Sequence, residues 1–366
     1  VSRKMWRHLF SNIPVEEVPI GHVTNGVHTA SWLHDDLQTL YREHLGDADG
    51  DAPEPFADWT RAVDLPDDQL WRAHKHNRKE LIGFVRNRLT QQLNRRGARS
   101  SELKRVAEVL DPDALTIGFA RRVTAYKRAY LLFMDMEQVH QIFCNAEFPV
   151  QMIIAGKAHP ADDEAKGIIK RLYQLSIQPE FRHRIVFLED YDLETARHLV
   201  RGVDLWLNTP RRPLEACGTS GMKAAINGAL QLSVLDGWWE EAYDPELGWT
   251  FGQHAPLDNK DEQDRIDNTV LCGILRQQII PLFYNRDDDG LPRAWIRMMR
   301  QSIAAIGPAF SARRMLRDYT TNYYHPAIRS HHELCADDYA GARALAAWRT
   351  RVKEHWPGVR VCRVEL

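Results

Sequence analysis

One stretch decides the fold of this chain: Pro213-Leu-Glu-Ala-Cys-Gly-Thr-Ser-Gly-Met-Lys-Ala-Ala-Ile-Asn-Gly228. It follows an apolar strand pattern at residues 203–207, and its glycine, threonine and serine residues come just before residues 222–226, which can form a helix. This order predicts a strand, a turn and a helix whose first backbone N–H groups have no partner within the helix. Because the helix dipole makes that end positive, a phosphate or another anion is favoured there.

Lys223 lies in the first turns of this predicted helix, where its amine can reach back over the same site. Gly218 and Gly221 allow the backbone to come close to a ligand, because glycine has no Cβ. An amine in this place neutralises a phosphate or forms a Schiff base with an aldehyde cofactor. The local spacing leaves one alternative open, an ordinary connection with a solvated lysine.

Short apolar strands alternate with helices around this stretch. The predicted strands are residues 115–119, 150–155, 184–188, 205–207 and 230–235, and the predicted crossover helices are residues 130–143, 163–175, 194–200 and 223–229. This alternation predicts an α/β fold with a parallel, doubly wound sheet. Further predicted elements are a strand at residues 15–20, a short strand within 248–252, and helices at residues 67–96, 265–283, 293–306, 311–323 and 332–356.

Charged residues follow the predicted strands. Arg121, Arg122 and Lys127 come after the first strand, and Glu215 and Lys223 come after the fourth. Because ligands of a parallel sheet bind at the carboxyl ends of its strands, we expect these side chains to converge at one edge. Four cations beside a helix N-terminus can hold more than one phosphate group, and the glutamate can orient hydroxyls of a polar substrate.

Composition and missing motifs exclude several classes of protein. The chain has 366 residues and a net charge of -2, which gives no support for a nucleic-acid or anionic-membrane partner. Its five cysteines include no C-x-x-C pair, which favours reduced thiols and a cytoplasmic location. We expect no metal site, since no H-E-x-x-H pair is present, and neither a P-loop nor a dinucleotide fingerprint occurs. A carboxylate pair for glycoside hydrolysis stays open.

Five motifs resemble segments of the glycogen, starch and α-glucan phosphorylases, in particular the compact bacterial and archaeal branch. They are Thr24-Asn-Gly-Val-His-Thr-Ala-Ser-Trp-Leu33, Arg121-Arg-Val-Thr-Ala-Tyr-Lys-Arg128, Ala155-Gly-Lys-Ala-His-Pro160, Phe187-Leu-Glu-Asp-Tyr191 and Glu215-Ala-Cys-Gly-Thr-Ser-Gly-Met-Lys-Ala-Ala-Ile-Asn-Gly-Ala-Leu230. The second resembles the family's phosphate-binding segment, and the last resembles the segment that holds pyridoxal phosphate. Together the motifs span residues 24–230.

The resemblance implies a GT-B fold, with residues 1–366 as its C-terminal, Rossmann-like, cofactor-binding domain with extra helices. Because the chain opens on Val1, we expect it to be a fragment that lacks the family's N-terminal domain. We expect the sheet to fold by itself. The fragment alone is expected to be inactive, since a two-domain cleft needs both walls to exclude water and align the substrate.

The resemblance also assigns roles to individual residues. Lys223 holds pyridoxal phosphate covalently, and the other cofactor contacts are Arg121, Tyr191, Thr219, Ser220 and Trp32. Arg122 and Lys127 bind the substrate phosphate. The residues that bond the hydroxyls of the glucosyl unit are Asn25, Glu215, Cys217 and Gly218. One departure lies in this last set, because Cys217 stands where serine is common in the family.

The implied reaction is phosphorolysis of an α-1,4-glucan or maltodextrin. Inorganic phosphate attacks the terminal bond and gives α-glucose 1-phosphate with retention, while the phosphate of the cofactor relays a proton. One rival interpretation is a nucleotide-sugar-dependent GT-B glycosyltransferase similar to glycogen synthase, which needs no Schiff-base lysine. The other is a catalytically silent carbohydrate-binding or regulatory module. Homo-oligomerisation is left open. Trp238 and Trp239 are predicted to pack in the core, with a sugar cleft as the alternative.

Overall fold

The computed structural model describes residues 2–47, 56–252, 257–360 and 362. The chain divides into two compact units, Thr24–Arg313 and a smaller one made of Val1–Val23 with Arg314–Leu366. In the described part of the chain, no helix combines the length and the apolar character needed to span a membrane.

A parallel sheet forms the centre of the Thr24–Arg313 unit. Its strands in the described residues are β1 (Leu115–Arg122), β2 (Val150–Lys157), β3 (Ile185–Leu188), β4 (Leu205–Asn208), β5 (Leu230–Val234) and β6 (Gly248–Phe251). They lie in the order β3-β2-β1-β4-β5-β6, and every neighbouring pair is parallel. The predicted α/β doubly wound sheet is therefore confirmed. The order reverses between β1 and β4, and the crevice at their carboxyl ends is where such sheets bind ligands.

Both faces of the sheet are buried, which explains the continuous apolar runs in the sequence. In β2, Met152 and Ile154 belong to one apolar cluster, whereas Ile153 and Ala155 belong to another on the opposite face. This alternation follows from the two-residue period of a strand. A strand covered on both faces carries apolar residues at every position, so its sequence shows a run instead of an alternation.

Helices cover the sheet and continue the chain on either side of it. The α-helices of the described residues are α1 (Ser2–Met5), α2 (Thr29–Trp32), α3 (Asp35–Leu45), α4 (Asp67–Arg95), α5 (Ser100–Arg105), α6 (Met136–Phe143), α7 (Asp163–Ser176), α8 (Leu193–Gly202), α9 (Thr219–Ala225), α10 (Trp238–Ala242), α11 (Lys260–Ile274), α12 (Ile280–Tyr284), α13 (Arg293–Ala309), α14 (Ala312–Tyr319) and α15 (His325–His355). π-Helical turns occur at Leu275–Ile279 and Thr320–Tyr324. Residues 336–339 have non-helical backbone angles, so α15 is broken there and the predicted helix at residues 332–356 is not continuous.

Several predicted elements differ from the structure, and for two of them the sequence supplies the physical reason. Residues 15–20 were expected to form a strand, but Val15–Glu17 is a short 3-10 helix. The prolines that precede and follow it remove N–H donors that a strand needs for pairing. The predicted helix at residues 130–143 begins only at Met136, because Asp135 caps it by accepting hydrogen bonds from the backbone N–H groups of the following turn.

A buried charge cluster holds the amino end of β4. Asp204 accepts hydrogen bonds from His74 Nε2 at 2.8 Å and from the Thr116 backbone N–H at 2.8 Å, and it pairs with the Arg78 guanidinium. Burial alone would raise the pKa of Asp204, but the charge of Arg78 and the bond from His74 lower it below its ordinary value. The cluster therefore joins α4 to β1 and β4 at the end of the sheet opposite the ligand crevice.

The smaller unit is helical in its described residues. Arg3 donates from Nε to the Ile20 carbonyl at 2.9 Å and from Nη1 to the Glu16 carbonyl at 2.8 Å, which ties α1 to the segment that follows it. Several large apolar side chains of this unit are exposed, among them Trp348 and Trp356.

Candidate active site

The loops after β1 and β4 meet at one carboxylate. Glu215 Oε2 accepts a hydrogen bond from Lys127 Nζ at 2.8 Å and lies 3.4 Å from Arg121 Nη1. Arg121 and Glu215 are 6% and 7% exposed, so this contact is shielded from water. The structure thus brings together three of the residues that were predicted from their positions after strands.

Arg128 fixes the loop that carries Lys127. Its backbone is left-handed (φ 45°), and its buried guanidinium donates to Asp264 at 2.8 Å and to Asp267 at 2.6 Å. The same side chain donates to the Thr209 and Pro210 carbonyls, both at 3.0 Å. Arg128 therefore crosslinks the loop after β1 to the loop after β4. Arg128 is the last residue of the second motif, and no role was predicted for it from the sequence.

Asp236 fixes the backbone of Glu215. Its Oδ2 accepts the backbone N–H of Glu215 at 2.9 Å, and its Oδ1 accepts that of Gly237 at 2.9 Å. Burial raises the pKa of Asp236 above its ordinary value, while these backbone bonds oppose the rise. Asp236 lies two residues after β5, and this position after a strand is the signal that could have identified it.

The helix that carries Lys223 begins at Thr219, four residues earlier than predicted. Gly218 takes a left-handed conformation (φ 78°, ψ 70°) at the N-cap position and, having no side chain, supplies no side-chain cap to that end. Thr219 and Ser220 are partly exposed there. The first backbone N–H groups of α9 have no partner within the helix, and an anion site there stays a prediction.

The Lys223 amine lies against an aromatic ring. Its Nζ is 3.8 Å from the centre of the Trp32 ring, and burial lowers the pKa of Lys223. Tyr191, after β3, packs on the same apolar cluster as Trp32. Burial raises the pKa of Tyr191 and the nearby charge of Arg121 opposes the rise, so these residues share one neighbourhood.

The segment that holds Asn25 lies against the turn before α9. Asn25 hydrogen-bonds the Cys217 thiol, which opposes the rise that burial causes in the pKa of Cys217. Thr24 donates to Glu241 at 2.6 Å, which fixes the same segment to α10. Trp238 in α10 is 3% exposed and packs in the core, as does its neighbour, so the prediction of core packing is confirmed.

Two polar residues at strand ends stay outside this cluster. Arg122 is exposed at the last position of β1 and takes no part in the ion pairs of Glu215. Glu189, after β3, pairs with Arg95, the last residue of α4, and with Arg96, which follows it. Among the described residues, no group of three or more histidine, cysteine or acidic side chains is placed to hold a metal ion.

Comparison with known proteins identifies the family. Residues 17–255 match the family model described as carbohydrate phosphorylase. The chain belongs to the carbohydrate phosphorylase family. The expected resemblance is thereby confirmed, and the all-parallel α/β sheet agrees with the GT-B type expected for a carbohydrate phosphorylase.

Individual relatives cover nearly the whole chain. It is 42% identical over 365 residues to a glycogen phosphorylase of Mycobacterium bovis, which is 100% of this chain and 42% of that protein. It is 46% identical over 329 residues to a glycogen phosphorylase of Aquifex aeolicus, covering 90% of the chain and 47% of the relative. A maltodextrin phosphorylase of Thermococcus litoralis is 39% identical over 366 residues, covering 100% and 43%. The chain thus spans less than half the length of these carbohydrate phosphorylases.

Proposed function

We propose that this chain is the cofactor-binding domain of an α-glucan phosphorylase. The reaction transfers the terminal α-1,4-linked glucosyl unit of a glucan or maltodextrin to inorganic phosphate and gives α-D-glucose 1-phosphate with retention. One observation carries the proposal. Lys127 and Arg121 gather around Glu215 at the carboxyl end of the sheet, next to the uncapped helix that presents Lys223. The names of the relatives, glycogen and maltodextrin phosphorylase, support the same activity.

We infer that Lys223 binds pyridoxal phosphate. The residues fit this group, because the amine is half-buried and its lowered pKa leaves more of it unprotonated and able to condense with an aldehyde. The Trp32 ring offers a flat apolar surface beside the amine, and Thr219 and Ser220 lie at a helix N-terminus suited to a phosphate. When bound, the cofactor supplies a phosphate group that exchanges a proton with the reacting phosphate.

The cations of the site offset the repulsion between two phosphates. Two unit charges 4 Å apart interact by about 4 kcal/mol at the effective dielectric constant of a protein surface, so the cofactor and substrate phosphates cannot lie side by side without counter-charge. Arg121 faces the cofactor side, and Arg122 and Lys127 bind the substrate phosphate. As phosphate binds, Lys127 exchanges the Glu215 carboxylate for phosphate oxygens.

The Glu215 carboxylate is then free to accept a hydrogen bond from a hydroxyl of the glucosyl unit. Asn25, Cys217 and Gly218 lie on the same turn or against it and complete this set of sugar contacts. A second phosphate in the site supplies the negative charge that stabilises an oxocarbenium-like transition state, so no enzyme carboxylate is needed as nucleophile.

The test of this function is borohydride reduction of the protein loaded with pyridoxal phosphate, followed by peptide mass mapping. We expect the label on Lys223 and the absorption band of a lysine-bound cofactor. Label on a different lysine, or none, would contradict the assignment. A matched assay of α-glucose 1-phosphate release from maltodextrin, with a nucleotide-sugar donor as the comparison, separates phosphorolysis from the rival glycosyltransferase activity.

We also propose a cytoplasmic location for the protein. All five cysteines are free thiols, which is typical of a reducing compartment. Fractionation of cells that express the natural protein, followed by detection of this chain, checks the proposal.

A further inference from the structure

One buried amide joins the lysine helix to the segment that carries the tryptophan. Asn227 lies two residues after α9 and is 1% exposed. Its Nδ2 donates to the Lys223 carbonyl at 2.8 Å and to the Trp32 carbonyl at 3.0 Å. Its Oδ1 accepts the His34 backbone N–H at 2.9 Å. Both donors and the acceptor of the side chain are therefore used on the backbone of these two segments.

The two residues that this amide connects also meet through their side chains. The Lys223 amine lies 3.8 Å from the centre of the Trp32 ring. Because Asn227 bonds the carbonyl groups of both residues, it fixes the distance between their backbones. The position of the ring over the amine depends on that distance.

Arg201 supplies a second connection to the tryptophan segment. Its Nε donates to the Trp32 carbonyl at 3.2 Å and its Nη2 donates to the Leu33 carbonyl at 2.7 Å. It does not reach Lys223, so it holds the ring segment to α8 and not to α9. Among the contacts that the described residues show, Asn227 is the side chain that bonds both backbones.

We propose that Asn227 is a positioning residue, which sets where the Lys223 amine stands relative to the Trp32 ring. The inference rests on the proposed function only for the role of the Lys223 amine. The contacts of Asn227 are present without a cofactor. Aspartate cannot replace the amide, because it has no N–H donors and would place a carboxylate oxygen against two buried carbonyl oxygens. A buried acceptor or charge left without a partner is strongly unfavourable.

The test measures the free amine and not the reaction. Competitive acylation over a range of pH, read by peptide mass mapping without cofactor, gives the pKa and reactivity of Lys223 in the natural protein and in Asn227→Asp. Loosening the ring segment admits water to an amine whose pKa burial keeps low. We expect that pKa to rise by about 0.5–1 unit, which makes Lys223 about three- to tenfold less reactive at a pH below it.

Asn268→Asp is the matched control. Asn268 is 3% exposed, and its Nδ2 donates to the Leu131 carbonyl at 2.8 Å and lies 3.4 Å from the Leu132 carbonyl, far along the chain from the lysine helix. Both variants lose stability, but only Asn227→Asp is expected to shift Lys223. Asn227→Leu removes the same bonds without adding a charge, and Arg201→Lys weakens the second connection while keeping its charge. Each is expected to shift Lys223 in the same direction, which keeps the test decisive if Asn227→Asp does not fold. A shift confined to Asn227→Asp would be an effect of its charge and would count against the proposal.

Unchanged Lys223 reactivity in folded Asn227→Asp, or an equal shift in Asn268→Asp, would overturn the proposal. Failure of pyridoxal phosphate to attach to Lys223 is a separate result. It would contradict the proposed function, while the acylation of the free amine would still decide the role of Asn227.

Discussion

Lys127 and Glu215 are joined by a 2.8 Å hydrogen bond between Nζ and Oε2, although they follow different strands of the sheet. The bond places the carboxylate where an anionic substrate would bind, since Arg121 also contacts the same oxygen. Under the proposed function, the Glu215 carboxylate and the substrate phosphate would compete for Lys127. A change at Glu215 is therefore expected to alter the phosphate affinity.

We predict that Glu215→Gln binds inorganic phosphate more tightly. Removing the negative charge frees Lys127 for phosphate, and a gain of about 1 kcal/mol corresponds to about fivefold in affinity. Isothermal titration with phosphate in the absence of glucan measures the change. Glu189→Gln is the control, because its carboxylate pairs with Arg96 instead. Weaker phosphate binding in Glu215→Gln would show that the two do not compete.

We predict that Lys127→Ala and Arg122→Ala weaken the use of phosphate. Charge-assisted hydrogen bonds contribute about 1.5–3 kcal/mol each, or about one to two decades in apparent affinity. Lys127 is half-buried and Arg122 is exposed, so the larger loss is expected for Lys127. Kinetics of glucan phosphorolysis by the intact enzyme, as a function of phosphate concentration, check this, with Lys166→Ala on α7 as a control. If the phosphate dependence is unaltered in both variants, neither Lys127 nor Arg122 binds the substrate phosphate.

We predict that Gly237→Ala damages the sugar-binding turn. Gly237 has a positive φ of 60°, and an added Cβ would lie 2.5 Å from the Cys217 carbonyl oxygen. Gly290 has a similar φ of 75°, but nothing lies within 4 Å of an added Cβ. Gly290→Ala therefore reports the conformational cost alone, about 1–2 kcal/mol. We expect Gly237→Ala to lose more of the free energy of unfolding in urea and to raise KM for glucan. Equal behaviour of the two variants would refute the steric argument.

We predict that Asp204→Asn strongly destabilises the fold. Removing one partner of a buried ion pair costs about 3–5 kcal/mol, which urea unfolding at neutral pH measures. The folded-state pKa of Asp204 is lowered, so its contribution is present above the ordinary aspartate pKa of about 3.9 and is lost as the pH falls through the folded value. The natural protein should therefore lose stability below about pH 4, and the variant should lose less. Asp163→Asn, at an exposed position of α7, is the control.

Much of the sheet could be predicted because its strands are buried on both faces. The predicted first two strands ended at residues 119 and 155, yet the structure continues through Arg122 and Lys157. The reason is that backbone pairing does not require apolar side chains, and Arg121 pairs with Gly156 and Arg122 with Lys157. Arg121 and Arg122 thus belong to β1 itself, whereas Lys127 lies in the loop after it.

The remainder of the site depends on contacts that a sequence does not display. Arg128 acts through Asp264 on a distant helix, and Asn227 acts through backbone groups of the Trp32 segment. A bond to a backbone group cannot be recognised from the sequence, because every residue has such groups. A charge pair between distant positions cannot be recognised either, because the chain contains many possible acidic partners for each arginine. The alternation of strands and helices predicted the sheet edge at which the candidate site lies, but only the tertiary structure identifies the residues that hold that edge in place.

The strand β4 lies between the buried charge cluster of Asp204 and the loop that carries Glu215. Asp204 precedes its first residue, at the amino end, and the loop that leads to Glu215 follows its last. A substitution at Asp204 is expected to reduce the stability of the fold, whereas one at Glu215 is expected to change the ligand contacts proposed above. Stability and the proposed ligand recognition would then be altered from opposite ends of the same four-residue strand.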